Sequence, residues 1–128
     1  MNPLQLLKRT NEFALIIIRF FQMLPRTDEA KILGKQLLRA ATSVAANYRA
    51  ANRSRSKQEF YAKLCIVVEE CDESLFWLEL LTESGITTRE KSDAISKEAE
   101  ELLRIFSASR KTIKKSMENK TDNLKSEV

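Results

Sequence analysis

Five cations on one stretch of chain, Lys31, Lys35, Arg39, Arg49 and Arg53, are spaced four, four, ten and four residues apart. If the stretch is helical, those spacings hold them within an arc of about 80° and along a row of roughly 33 Å. Thr42 and Ala46 fill the gap, and no acid interrupts the row. Such a line of positive charge can follow a phosphate backbone, because each neutralised phosphate releases a condensed counterion. Arg55, Lys57 and Lys63 extend the charge past the end of the row. Residues 34–66 hold seven Lys or Arg against one Glu, a net of +6, whereas residues 67–84 hold six acids and no base, a net of −6. The whole-chain charge of +4 conceals this polarity. A solvated helix face would give the same pattern, as would a seam between subunits where positive meets negative.

Other chemistry is poorly served. The chain has no His, which removes His-based zinc sites, Ser-His-Asp and Cys-His nucleophiles and the usual general base at neutral pH. Glu69 and Glu73 stand at i and i+4 with Glu70 and Asp72 beside them. A carboxylate-bridged di-iron bundle would need Glu-x-x-His motifs, so a solvated acidic face is the better account. The two glycines, Gly34 and Gly85, cannot form a phosphate-cradling loop. Cys65 and Cys71, six apart on one helix, point away from each other and cannot bridge. They read as small buried hydrophobes in a reducing, cytoplasmic protein. No catalytic residue, metal or cofactor is expected, and no enzymatic activity.

The elements that must position the cations are marked by sparse punctuation. Gly and Pro number two each in 128 residues, too few for the turns of a β-sandwich, and Leu, Ala, Glu, Lys and Arg favour helix. Asn2-Pro3 opens a first helix that stops before Pro25. Thr27, followed by Asp28 and Glu29, opens a second that runs to about Arg53. Ser56 to Glu59 is a capping box for a third, which Gly85 ends. Thr87 to Glu90 offers another capping box, and the fourth helix runs to about Met117. Long helices on short loops must lie antiparallel to their neighbours. The expected fold is all-α: an antiparallel up-down-up-down four-helix bundle over residues 1–118, with a polar, disordered tail at 119–128. The greasiest run, Phe13 to Ile18, is six residues long against the ~20 a membrane span needs, so no membrane role is expected.

Two helices carry more apolar surface than one core requires. On the third, Phe60, Leu64, Val67, Cys71, Leu75 and Leu78 form the core stripe, while Ile66, Phe76, Trp77 and Leu80 point elsewhere, among acids. On the first, Phe13, Ile16, Ile17, Phe20 and Phe21 are too many for one face. The surplus marks an oligomer interface at Phe13, Ile16, Phe20, Ile66, Phe76, Trp77 and Leu80, with Trp77 as its anchor. Small residues from Ala40 to Ala51 let another backbone approach the second helix, most simply a neighbour within the bundle. Ser43 and Asn47 are placed for a hydrogen bond across a helix pair.

Three segments also resemble a known family. They are Gln36 to Asn47 with its RAA-x-S-V-x-AN pattern, Arg53-Ser-Arg-Ser56 followed by Phe60-x-x-Lys63-Leu64, and Glu69 to Leu81 ending in WLELL. The resemblance, over about residues 5–115, is to the bacterial four helix bundle proteins encoded in intervening sequences of large-subunit ribosomal RNA genes, sometimes labelled ribosomal proteins. The chain is similar as well to the accessory protein of diversity-generating retroelements. The resemblance implies a bundle that assembles into a ring-like homopentamer with a basic surface. In the retroelement relatives it implies binding of nucleic acid and of a reverse transcriptase. It selects Arg39, Arg49, Arg53 and Arg55 as basic positions. Many relatives carry a Glu shortly after the motif's Asn, where this chain has Tyr48-Arg49-Ala50-Ala51.

Residues and resemblance together lead to one expectation: a small oligomeric adaptor that binds RNA or DNA through Lys31, Lys35, Arg39, Arg49, Arg53, Arg55, Lys57 and Lys63. Binding would be largely sequence-independent, since the second helix offers few side chains suited to reading bases. The alternative is a homo-oligomeric protein-binding scaffold with no nucleic-acid role.

Overall fold

Each helix begins where a side chain can satisfy the free N–H groups of its first turn. The computed structural model describes residues 1–126, with side chains through residue 119. It contains α1 (Pro3–Gln22), α2 (Asp28–Asn52), α3 (Lys57–Glu83) and α4 (Arg89–Ser126), joined by turns of four or five residues. Asn2 accepts from the Gln5 amide at 2.8 Å while the Gln5 side chain accepts from the Asn2 amide at 2.9 Å, a reciprocal capping box. Thr27 and Ser56 cap α2 and α3 through their hydroxyls. Gly85, with φ of 81°, closes the end of α3 in the left-handed region.

α4 departs from the expected limits at both ends. Its cap is Thr88, whose Oγ1 accepts from the Lys91 amide at 3.3 Å, one residue later than the Thr87 box implied. Thr87 is instead buried, its amide donating to the Leu81 carbonyl. The helix also continues past Met117 to Ser126, over most of the segment expected to be a disordered tail. Nothing in residues 118–126 is a Gly or Pro that would stop it. Residues 127–128 lie outside the described residues.

Consecutive helices pack side by side, and α1 closes the ring against α4 along a shorter seam. The fold is an antiparallel four-helix bundle, with no strand among the described residues. Phe13 and Ile17 from α1, Leu37, Val44 and Tyr48 from α2, Leu64, Val67, Leu78 and Leu81 from α3, and Leu102 and Phe106 from α4 meet in one core. The Tyr48 and Phe106 rings are tilted at 52° with centroids 4.9 Å apart. The small residues of α2 serve internal packing, since Ala30, Ala40, Ala41 and Ala51 are all buried. Gly34 lets α1 approach closely: a Cβ there would lie 2.8 Å from the Leu24 side chain and 3.0 Å from the Phe21 ring, which would have to shift. No helix is long and apolar enough to cross a membrane among the described residues.

Two expectations about α1 and α2 are corrected. Phe13 and Phe20 are buried core residues rather than interface residues, because with Ile17 they fall at i, i+4 and i+7 and share the inward face. Ser43 and Asn47 bond within α2, Asn47 Nδ2 donating to Ser43 Oγ at 2.8 Å and to the Ser43 carbonyl at 3.0 Å, not across a helix pair.

Candidate nucleic-acid interface

The bundle divides the α2 cations into groups with different surroundings. All five side chains are exposed. Arg39, midway along the row, is spent on α3: one guanidinium nitrogen lies 3.3 Å from Glu70 Oε2 and another donates to Glu73 Oε1. That contact, with the Trp77 indole N–H donating to the same Glu73 oxygen at 3.2 Å, holds the Glu73 carboxyl below its usual pKa range. Lys31 and Lys35 lie toward the start of α2, Arg49 and Arg53 at its end, and none of the four forms an ion pair among the described residues. The row is therefore interrupted, and Lys35 and Arg49 are about 21 Å apart along the axis.

The structure adds other helices to the Arg49–Arg53 group. Lys8 and Asn11 of α1 line a groove with Arg49, Asn52 and Arg53 of α2. Arg55 follows in the turn, and Lys57 at the start of α3 donates to Ser116 Oγ of α4 at 3.0 Å. That contact places α3's first turn beside the run Arg110, Lys111, Lys114 and Lys115 on α4. Lys63 continues the patch on α3, half-buried. Residues 1–8, 45–64 and 104–119, which meet at this end, carry eleven Lys or Arg against two Glu, a net of +9. Residues 9–44 and 65–103, which include Arg9 with its partners Glu98 and Glu101, carry nine against fourteen acids, a net of −5. Charge is thus segregated by end of the bundle more than by face of one helix.

Lys8, Arg110, Lys111, Lys114 and Lys115 were not among the residues expected from sequence. The α4 run is plain in the chain, and up-down topology alone returns α4's end to the α2–α3 turn. The opposite end holds a cleft lined by the acids Glu79, Glu83, Asp93 and Glu100 together with Arg89. Among the described residues no group of three or more acids or cysteines is arranged to hold a metal ion.

Of the residues expected at an interface, Phe76 is exposed, Ile16 is partly so, and Ile66, Trp77 and Leu80 are half-buried. Trp77 packs its ring edge-on to Phe76, centroids 4.9 Å apart, and its other side lies against the core. The surplus of α1 is carried by Leu4, Leu15, Ile16, Ile18 and Met23.

Residues 2–108 match the family of 23S rRNA-intervening sequence proteins. The chain belongs to that family. It is also similar, at 31% identity and a TM-score of 0.77, to a protein of unknown function from the S23 ribosomal protein family of Bacteroides thetaiotaomicron VPI-5482, with 82% of this chain and 97% of that one covered. No curated protein matches it. Membership agrees with the resemblance carried by the RAA-x-S-V-x-AN and WLELL segments. In space those segments are neighbours: Arg39 of the first is the residue that pairs with Glu70 and Glu73, just ahead of Trp77.

Proposed function

We propose that this chain is a nucleic-acid-binding adaptor whose basic end, rather than the whole length of α2, contacts phosphates. The observation that carries the reading is the segregation of charge, +9 at one end and −5 over the rest, with Lys8, Arg49 and Arg53 unpaired around one groove. Cations from all four helices allow contact with several phosphates at once, and each contact adds to affinity by counterion release. The chemistry is binding without catalysis, cofactor or metal. The partner is RNA or DNA, and the setting is the cytoplasm.

Fluorescence anisotropy with labelled RNA, single-stranded DNA and duplex DNA tests this. For six to ten phosphate contacts, affinity falls by about 10³–10⁵ between 50 and 200 mM salt. An absence of binding at the lower salt overturns the reading.

A second reading is favoured by one observation, the exposed Phe76 ring packed on Trp77. It makes the protein a homo-oligomeric scaffold, a pentamer by family resemblance, that docks a protein such as a reverse transcriptase. Phe76→Ser with Ile16→Ser then lowers the mass measured by light scattering, and an unaltered mass rejects that interface.

A further inference from the structure

The groove between α1 and α2 holds more than charge. It is open to solvent and offers about 540 Å³, within the ~300–1,000 Å³ typical of small-ligand sites. Lys8, Arg49 and Arg53 supply three cations, and no acid lines it. Two carboxamides stand among them, Asn11 from α1 and Asn52 from α2, with Leu7 and Ala45 as an apolar wall. Asn52 Nδ2 donates to the Tyr48 carbonyl at 2.8 Å, which ties that amide to its own helix and leaves Oδ1 as an acceptor. Asn11 is exposed, and its side chain makes no hydrogen bond among the described residues.

We propose that this groove takes one unpaired nucleotide of the bound strand, its phosphate held by Lys8, Arg49 and Arg53 and its base edge by the amides of Asn11 and Asn52. The proposal rests on the nucleic-acid reading and makes it more specific. A carboxamide offers a donor and an acceptor side by side, the pattern that bases present on their edges. A phosphate can take only the amide donor and leaves the carbonyl oxygen without a partner. A duplex hides the pairing edges and offers an amide only the groove edges, whereas an unpaired base offers both and can enter a groove between two helices. The groove has no aromatic ring to stack on, so recognition falls to edges and the small apolar wall. No single helix carries this set, because Asn11 and Lys8 come from α1 and the rest from α2.

Electrostatics alone predicts the opposite preference. Duplex DNA releases more counterion per neutralised phosphate, with a slope of about 0.9 per contact against about 0.7 for a single strand. A purely basic end therefore binds duplex at least as well as single strand. A preference for the single strand has to come from groups that touch bases.

The test compares three probes at one salt concentration: a mixed-sequence strand of about 12 nucleotides, its duplex, and an abasic strand with the same phosphates. RNA and DNA versions of the first two identify the sugar. The expected result is that the ordinary strand of one sugar series binds about tenfold more tightly than the duplex and the abasic strand, the scale of one good amide–base contact. Asn11→Ala, at an exposed site that leaves folding intact, brings the ordinary strand down toward the abasic level. Its salt slope stays unchanged, since no charge is lost. Equal binding of ordinary and abasic strands, or full affinity in both Asn11→Ala and Asn11→Ala with Asn52→Ala, overturns the groove while leaving the basic end standing. Failure of every probe to bind at low salt removes the nucleic-acid reading, and this proposal with it.

Discussion

Arg39 and the pair Arg49–Arg53 share a helix, an outward arc and a residue type, yet they do different things. Arg39 faces Glu70 and Glu73 on α3 and is neutralised there. Ten residues on, the neighbouring groove offers Lys8 and two amides, and Arg49 and Arg53 keep their charge for a ligand. The angle of a residue around a helix decides which way it points. Arg39 lies at the edge of the arc that meets α3 and Arg49 at the edge that meets α1, and what the adjoining helix offers decides whether each is already occupied.

The sharpest way to break that contrast is to reverse charge at the free end. Arg49→Glu with Arg53→Glu lowers nucleic-acid affinity by about 100-fold or more at low salt, since four units of charge change where phosphates gather. The circular-dichroism melt is unaltered. Arg39→Ala changes affinity by less than about threefold in the same titration, because its charge is already met by carboxylates. If the two substitutions weaken binding equally, the division of the row is wrong.

Ion pairs sharpen the comparison at a smaller scale. Arg9 crosses from α1 to α4, its guanidinium 2.6 Å from Glu98 and 2.9 Å from Glu101, and its side chain is only 18% exposed. Removing it as Arg9→Ala leaves two acids without their partner on the shorter seam of the bundle and costs about 1–2 kcal/mol in urea unfolding. Arg39, half exposed, is worth about 0.5 kcal/mol or less in the same measurement.

The smallest effect is the pH dependence of that second pair. Arg39, aided by Trp77, depresses the Glu73 pKa in the folded state. Such a group contributes stability that is present above its unfolded pKa and disappears as the pH falls through the lower folded value. The advantage of wild type over Arg39→Ala should hold at neutral pH and vanish in acid below the ordinary carboxylate range. A difference that grows on acidification contradicts the assignment.

Most of the fold could be read from the chain because its signals are local. Asn2, Thr27, Ser56 and Gly85 mark ends through contacts within a turn of themselves, and the bundle follows from long helices on short loops. The start of α4 was misplaced by one residue because Thr87 and Thr88 both suit a cap, and only burial distinguishes them. Its end was misplaced because the last residues, though polar, contain no stop. The site was legible by face and not by level. A wheel groups Arg39, Arg49 and Arg53 within one arc; it cannot show that Glu73 on α3 meets the first while α1 meets the others, nor bring Lys8 and Lys114 from separate helices to the same end. The aromatic count of α1 suggests a surface role for Phe13 and Phe20, and only their i, i+4, i+7 register with Ile17 places them inside.

The two thiols differ in a way that is useful at the bench. Cys71 is buried in the core, and burial pushes its thiol up to about 12, whereas Cys65 on the same helix is partly open. Thiolate is the species that reacts with alkylating reagents. A maleimide dye should therefore mark the folded protein once, at Cys65, near the cationic end. A second label can enter only when the bundle opens, so the rate of double modification counts opening events without any engineered probe.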